Sequence, residues 1–348
     1  MYSTHSFHTF LESSAQSAII DVRSEAEFNQ GHIPGAKSIS LLNNEERAIV
    51  GTIYKQEGNR KAVEKGFELV GAKFASYIEL AKSLAVNNKV HVYCWRGGMR
   101  SNIMAWLFST AGFEVVLLKG GYKAFRNEAI KGIADKRKYT ILGGKTGSGK
   151  TELLTYLKAK GEQVIDLEQL AHHKGSAFGG IGQECQVSNE QFENDLFMQL
   201  LACDASKTIW LENESRVIGA NKIPDALYVQ MRQAKVIELV LPIECRIERI
   251  CKEYGNFPKE LLEMATRKIE KKLGNLRMRQ ALTHLQNNEL ALWAEVLLGY
   301  YDDFYLYGMS KRDASSIYII QLNGCMNEET AEIVRNLHTK EIAVDAVR

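Results

Sequence analysis

Cys94-Trp95-Arg96-Gly97-Gly98-Met99-Arg100-Ser101 is the stretch of this sequence whose residue types point most directly to chemistry. It lies between an apolar run, Val90 to Tyr93, and a helical pattern over Asn102 to Phe108. That order predicts a strand, a tight glycine turn and a helix start. A cysteine placed there has backbone N–H groups and the positive end of a helix dipole directed at its sulfur. Arg96 and Arg100 add formal charge, so every local feature favours the thiolate. Trp95, Gly97, Gly98, Met99 and Ser101 would complete an anion-binding loop. A lone strand-end cysteine is ordinarily an inert small hydrophobe. Two glycines, two arginines and a serine in one turn are a poor recipe for an apolar core. Cys94, Arg96 and Arg100 are therefore the candidate catalytic residues, suited to carrying a soft atom or attacking an oxyanion.

A second anion site is legible further on. Gly144-Lys145-Thr146-Gly147-Ser148-Gly149-Lys150-Thr151 fits G-x-x-x-x-G-K-[ST] at every fixed position. A strand precedes it and a helix follows, the context a P-loop needs. Gly144, Thr146, Gly147, Ser148 and Gly149 would wrap a diphosphate, Lys150 would supply charge, and the Thr151 hydroxyl suits a magnesium ligand. Such a cradle reads phosphates without saying what they are attached to. An acidic partner is expected at a neighbouring strand end. Glu212 and Glu214 are candidates for metal or water, and so is Asp166, whose alternative is a helix cap. Arg246 and Arg249 follow a later strand, as lid arginines do in P-loop transferases; a solvated helix face is the plainer expectation for them.

Lys259 to Arg279 reads as one amphipathic helix, with Leu261, Leu262, Ala265, Ile269, Leu273 and Leu276 on its apolar side. Arg267, Lys268, Lys271, Lys272, Arg277 and Arg279 form a basic patch, a candidate RNA contact or an ordinary solvated face. The aromatics Tyr300, Tyr301, Phe304, Tyr305 and Tyr307 suit core packing better than base stacking. Trp95 is the better stacking group. His172 to Gly182 reads as a loop or a flexible lid.

The elements that must position these groups alternate. Strands are predicted over Ser17 to Val22, Lys89 to Tyr93 and Val115 to Leu118, with Ser24 and Glu27 in capping-box spacing between them. Asn43 to Lys82 reads as helical with glycine breaks at Gly51, Gly58, Gly66 and Gly71. After a polar stretch, Lys131 to Lys138, the alternation restarts with strands over Tyr139 to Leu142, Gln163 to Leu167, Thr208 to Leu211 and Val236 to Leu241. A helix spans Gly149 to Lys160. Beyond Pro258 the pattern is mostly helical until a strand over Ile317 to Leu322. Strands alternating with helices imply parallel α/β sheets, whose functional loops lie at the carboxyl ends of the strands. At 348 residues two domains are expected, with residues 1–133 and 139–348 as their spans. Net charge is only +2, so whole-chain charge argues for no particular partner. The 6 cysteines are scattered without zinc spacing, which suits a reducing compartment. No leader-like N-terminus and no long apolar run is found, so a cytoplasmic protein without a membrane span is expected.

The N-terminal block resembles a rhodanese domain in Asp21-Val22-Arg23, Glu27-Phe28, Gly31-His32-Ile33-Pro34-Gly35-Ala36 and the loop from Cys94. Sulfurtransferase loops run Cys-x4-Arg. Here Arg100 makes it Cys-x5-Arg, as in the phosphatase-like branch, and the larger ring would admit a bulkier oxyanion or a larger chalcogen. Over nearly its full length the chain is similar to the bacterial tRNA 2-selenouridine synthase family, which fuses a rhodanese domain to a P-loop domain. The CWRGGxRS loop at 94–101, the turn Gly120-Gly121-Tyr122, the Walker A motif and the ENESR stretch at 212–216 carry the likeness. The resemblance implies a rhodanese-like parallel sheet with helices on both faces, then a P-loop NTPase-like α/β domain with a helical C-terminal part. It implies that the wobble 2-thiouridine of tRNA exchanges sulfur for selenium from selenophosphate, through an S-geranylated intermediate made from geranyl diphosphate. Cys94 would then handle selenium. The P-loop would hold geranyl diphosphate, with Lys150, Thr151 and Mg2+ stabilising departing pyrophosphate, and no tightly bound organic cofactor. The competing readings are a rhodanese-type sulfurtransferase or Cys-x5-Arg phosphatase coupled to an ATP-binding domain, and a nucleotide switch without chemistry. The arginines and thiol retained in the loop weigh against the switch.

Overall fold

The computed structural model describes residues 2–339. Two compact units divide them: one runs to Gly132 and adds Glu190–Met198, and the other comprises Ile133–Asn189 and the chain from Gln199. The stretch Glu190–Met198 therefore belongs with the N-terminal unit, although a division into 1–133 and 139–348 would assign it to the other.

In the first unit β1 (Ser3–His5), β2 (Ala18–Asp21), β3 (Lys37–Ser38), β4 (Lys89–Tyr93) and β5 (Glu114–Leu118) form one parallel sheet in the order β1-β5-β4-β2-β3. The edge strands β1 and β3 are too short and polar to show a period-2 pattern, so periodicity does not find them. β4 is central and almost wholly buried. Its side chains alternate between two covered faces. Val90 and Val92 pack with Tyr77, Ala81, Met104 and Phe108. Between them, His91 points the other way, its ring 4.9 Å from Phe10 and its nitrogens bonded to Ser13 and Ser17 hydroxyls. Helices thus cover both faces, as expected. The region 43–82 is three helices, Asn44–Gln56, Asn59–Val70 and Phe74–Leu84. Gly51 and Gly66 sit inside them without breaking them. Gly58, at φ +91°, does separate two helices.

In the second unit β6 (Tyr139–Gly144), β7 (Gln163–Val164), β8 (Ile209–Glu212), the antiparallel pair β9 (Val217–Ile218) and β10 (Asn221–Lys222), β11 (Lys235–Val240) and β12 (Ile317–Gln321) follow in sequence. The main sheet is parallel, ordered β12-β11-β6-β8-β7, with β6 at its centre. β6 and β8 are buried along their whole lengths, the signature of a sheet covered on both faces. The helical part packs around Trp293, Leu262, Ala265, Met278, Ala281 and Leu297. The expected single helix over 259–279 is three: Lys259–Lys268, Glu270–Leu273 and Asn275–Gln286. Ile269 separates the first from the second, and Gly274, at φ +83°, separates the second from the third. Cys245 and Cys325 are paired as a disulfide, a link that their 80-residue separation hides in the sequence. No described helix is long and apolar enough to cross a membrane.

Candidate functional site

β4 delivers Cys94 at its carboxyl end. The chain turns at Gly97, φ +67°, and Gly98 opens the helix Met99–Thr110. Cys94 is buried, and its Sγ accepts the Gly98 N–H at 3.3 Å. The Ser101 hydroxyl lies 3.2 Å from the sulfur and 3.0 Å from the Gly98 carbonyl. When the thiol loses its proton, that hydroxyl can turn from the carbonyl to the sulfur. The thiolate then has two donors at a helix start.

The turn Gly120-Gly121-Tyr122 clamps the loop from behind. Tyr122 N–H donates to Cys94 O at 2.8 Å and Lys123 N–H to Trp95 O at 2.9 Å. A Cβ on Gly121 would sit 2.2 Å from Cys94 O and 2.5 Å from Gly97 N, at φ +60°. Gly121→Ala is therefore expected to cost on the order of 2–4 kcal/mol of folding stability and to displace the Cys94 loop. Urea unfolding checks the first; a native-like midpoint would contradict it.

The other N-terminal motif residues support this loop. Asp21 and Arg23 form a buried ion pair at 2.6 Å, and Arg23 also donates to Gly31 O at 2.6 Å. The Arg23 guanidinium stacks 3.8 Å above the Tyr122 ring. Tyr122 donates to Glu190 and accepts from Asn194, at 2.7 and 2.8 Å. This explains why Glu190–Met198 joins the first unit.

Of the two loop arginines, Arg100 is committed to Glu27, at 2.6 and 3.2 Å. Burial acts to raise Glu27, but Arg100 and Arg47 outweigh it and hold its carboxyl below the usual range. Arg96 is exposed and has no hydrogen-bond or ion-pair partner among the described residues. It is the guanidinium free to meet an anion. Trp95 and Met99 are exposed at the loop surface, at 37% and 52%.

In the second unit β6 ends in the phosphate loop. Gly144, Gly147 and Gly149 all have positive φ. Lys150 Nζ donates to Gly144 O at 2.9 Å, and Ser148 Oγ is buried without a partner. Arg246 and Arg249 brace this loop instead of forming a solvated face. Arg246, buried, donates to Thr146 O at 2.8 Å and pairs with both oxygens of Asp302, while Arg249 donates to Gly147 O at 3.1 Å. Tyr305 props the loop as well, its hydroxyl accepting from Gly144 N–H at 2.7 Å and donating to Glu238. The aromatic cluster is thus divided: Tyr305 supports the loop, while Phe304 and Tyr307 are exposed.

Glu212, opposite Leu142 at the end of β8, is fully buried. Its Oε1 accepts from Thr151 Oγ1 at 3.4 Å, and its Oε2 has no partner. Glu168 and Glu214 complete a group whose carboxylate oxygens lie within 4.8 Å of one another. Asp166 instead caps the helix Leu167–Ala171, accepting from Gln169 N–H at 2.7 Å. A strand drawn through to Leu167 concealed that turn, and with it Glu168. Gly175, from the expected lid, lies against Glu168 and Glu214, where a Cβ would stand 2.9 Å from each carboxylate. The same loop is anchored by Phe178, packed edge-on against Trp293.

Burial, then mutual repulsion, raises all three carboxyls: Glu212 well above the ordinary value, Glu168 to about 9 and Glu214 to about 7. The folded unit therefore holds protons that the unfolded chain has already lost above the ordinary carboxylate value of 4.5. By linkage, stability falls as pH rises from about 5 towards about 9. Glu214→Gln is expected to flatten that fall in thermal unfolding, and an unchanged slope would contradict the assignment.

The six basic residues of the proposed patch are all exposed but occupy three helices. Arg267 is paired with Glu263 at 2.7 Å and Arg277 with Asp303 at 3.2 Å. Leu261 and Leu276, placed on the apolar side by periodicity, are 42% and 72% exposed.

Residues 4–128 match the rhodanese-like domain, and residues 137–334 match the tRNA 2-selenouridine synthase AAA domain. The chain belongs to the tRNA 2-selenouridine synthase family. A tRNA 2-selenouridine synthase of Proteus mirabilis is 36% identical over 338 residues, 87% of this chain and 92% of the relative. One of Bdellovibrio bacteriovorus is 36% identical over 351 residues, 86% of this chain and 91% of the relative. Both family matches fall on the motifs described above, one on the thiol loop and one on the phosphate loop.

Proposed function

We infer that this chain replaces sulfur by selenium in the wobble 2-thiouridine of tRNA, through an S-geranylated intermediate. The observation that carries this reading is the Cys94 sulfur facing Gly98 N–H and Ser101 Oγ in a loop with a free Arg96. Sulfur on C2 of uracil is a poor leaving group; alkylation turns it into a thioether-like sulfur that leaves as a thiolate. In the first step the thiouridine sulfur attacks geranyl diphosphate, a C–S bond forms, a C–O bond breaks, pyrophosphate departs with its electron pair, and the N3 proton of the base is lost to solvent. The glycine loop binds the diphosphate and Lys150 neutralises charge as it develops on the leaving oxygen. Thr151, Glu212, Glu168 and Glu214 would hold a magnesium ion; the orphaned Glu212 Oε2 and the Thr151 hydroxyl are the donor chemistry that fits. When bound, the ion would supply further charge stabilisation to pyrophosphate.

In the second step selenophosphate delivers selenium that is already at the selenide level. Attack of Cys94 Sγ on its phosphorus breaks the P–Se bond and releases hydroselenide beside the loop. The S-phosphocysteine left behind is hydrolysed by water to phosphate and thiolate. Hydroselenide is a weak base, so this cleavage needs no general acid. Arg96 is placed to bind the phosphoryl oxygens, and Ser101 to stabilise the thiolate as it is regenerated.

The direct test is nucleoside mass spectrometry of 2-thiouridine tRNA incubated with the protein and each donor. Geranyl diphosphate alone should yield S-geranyl-2-thiouridine, and added selenophosphate should convert it to 2-selenouridine. Selenation with no geranylated species under any condition would overturn the two-step reading.

A further inference from the structure

We propose that a cavity beside the Cys94 loop is the binding site for the isoprenoid chain carried on the substrate sulfur. This rests on the two-step reading above and assigns its second step a subsite. The cavity measures about 240 Å³ and is enclosed by the helices Asn44–Gln56, Asn59–Val70 and Met99–Thr110. Its wall is built chiefly from Leu41, Leu42, Val50, Val63, Phe67 and Val70. At roughly 30 Å³ per water, it has room for an aliphatic chain and few polar atoms to satisfy water in its place. Three polar groups touch it, Tyr54, Asn59 and Arg100, and the Arg100 guanidinium is turned to Glu27 by two hydrogen bonds.

Two further observations connect this cavity to the chemistry. Met99, which lines it, directly follows Gly98, whose N–H touches the Cys94 sulfur. An open apolar shelf formed by Phe67, Met99, Ile103 and Trp106 continues from the same wall. Phe67, Met99 and Trp106 are 46%, 52% and 53% exposed. Clustered exposed apolar side chains at a concave site mark a place for an apolar ligand. The occupant must therefore be apolar at one end and reactive at the other, where the thiol loop and free Arg96 lie. An S-geranyl-2-thiouridine has that polarity; a bare base or a phosphate does not match the wall.

With the chain held there, hydroselenide adds to C2, its proton passes to N3, the C2–S bond breaks, and geranyl thiolate leaves with the bonding electron pair. Chain binding in the cavity would make the geranylated nucleoside a far better substrate than one with a short S-alkyl group. The test uses the full-length protein and two anticodon stem-loops, one with S-geranyl-2-thiouridine and one with S-methyl-2-thiouridine, each with selenophosphate. The unsubstituted protein is expected to convert the geranyl RNA with a kcat/KM roughly a hundredfold above that for the methyl RNA. Val50→Trp and Val63→Trp fill the cavity from two facing helices. Each should bring the kcat/KM for the geranyl RNA down to that for the methyl RNA in the same variant. A preference that survives both, or one absent from the start, overturns the cavity assignment and leaves two-step chemistry standing. No conversion of either RNA overturns the chemistry itself. Binding is read separately from Trp106 emission: S-geranyl-2-thiouridine nucleoside should shift it to shorter wavelength and the S-methyl nucleoside should not, with Trp106→Phe removing the signal. Equal response to both nucleosides overturns the proposal even where a filled variant fails to fold.

Discussion

Replacing Cys94 by serine is expected to reduce 2-selenouridine formation on the order of a thousandfold or more, while S-geranyl-2-thiouridine accumulates in the same tRNA. The sulfur accepts the Gly98 N–H at the start of a helix, with the Ser101 hydroxyl 3.2 Å away to serve its thiolate. A serine hydroxyl fits the space but is far less nucleophilic, so the fold survives and the selenium step stops. On the proposed reading geranylation uses the phosphate loop of the second unit and should proceed. Mass spectrometry of the digested tRNA reads both products from one sample. Loss of both steps with an unchanged unfolding midpoint would break the division of labour between the loops. Cys94-dependent hydrolysis of simple aryl phosphates, with no effect on tRNA, would move the protein to the phosphatase reading that Cys-x5-Arg raises. An acid-quenched sample of the unsubstituted protein with selenophosphate should carry phosphate on Cys94. A selenium isotope pattern there would show attack at selenium instead.

The complementary change, Lys150→Ala, is expected to lower geranylation by roughly a hundredfold to a thousandfold, the scale of removing one preorganised charge from a leaving group. Its Nζ rests on Gly144 O at 2.9 Å, a contact that a bound diphosphate would replace. The same variant should convert pre-geranylated RNA to 2-selenouridine at the normal rate, because Cys94 and its donors are untouched. If selenation of pre-geranylated RNA also failed, the phosphate loop would be serving the selenium step. If excess ATP suppressed nothing and geranyl diphosphate gave no protection of Lys150 from amine-reactive reagents, the assignment of the diphosphate would be lost.

Much of this chemistry is legible one residue at a time. Both anion loops are local objects: glycines at fixed offsets, a strand before and a helix after, so their conformation follows from spacing alone. The Ser24 and Glu27 capping box is of the same kind and is present. What spacing does not show is that Glu27 also holds Arg100, 73 residues away. That contact leaves Arg96 as the free cation of the loop. The basic run over 259–279 illustrates the opposite case. Periodicity draws one helix, yet breaks at Ile269 and at Gly274, φ +83°, divide it into three, and Leu261 and Leu276 lie exposed.

The sequence by itself determined that this is a two-unit α/β protein with a thiol loop at one strand end and a phosphate loop at another. Those features depend on backbone conformations that only glycine adopts cheaply and on hydrogen bonds made within a single turn. The tertiary structure alone decided which distant groups complete each site. It put Glu168 beside Glu212 and Glu214, made Asp166 a helix cap, and set Arg246, Arg249 and Tyr305 behind the phosphate loop. It also walled an apolar cavity beside Met99 and Arg100 of the Cys94 loop with three helices. Each of these depends on how separate segments pack, and packing is set by shape and burial across the whole core, which no local pattern encodes.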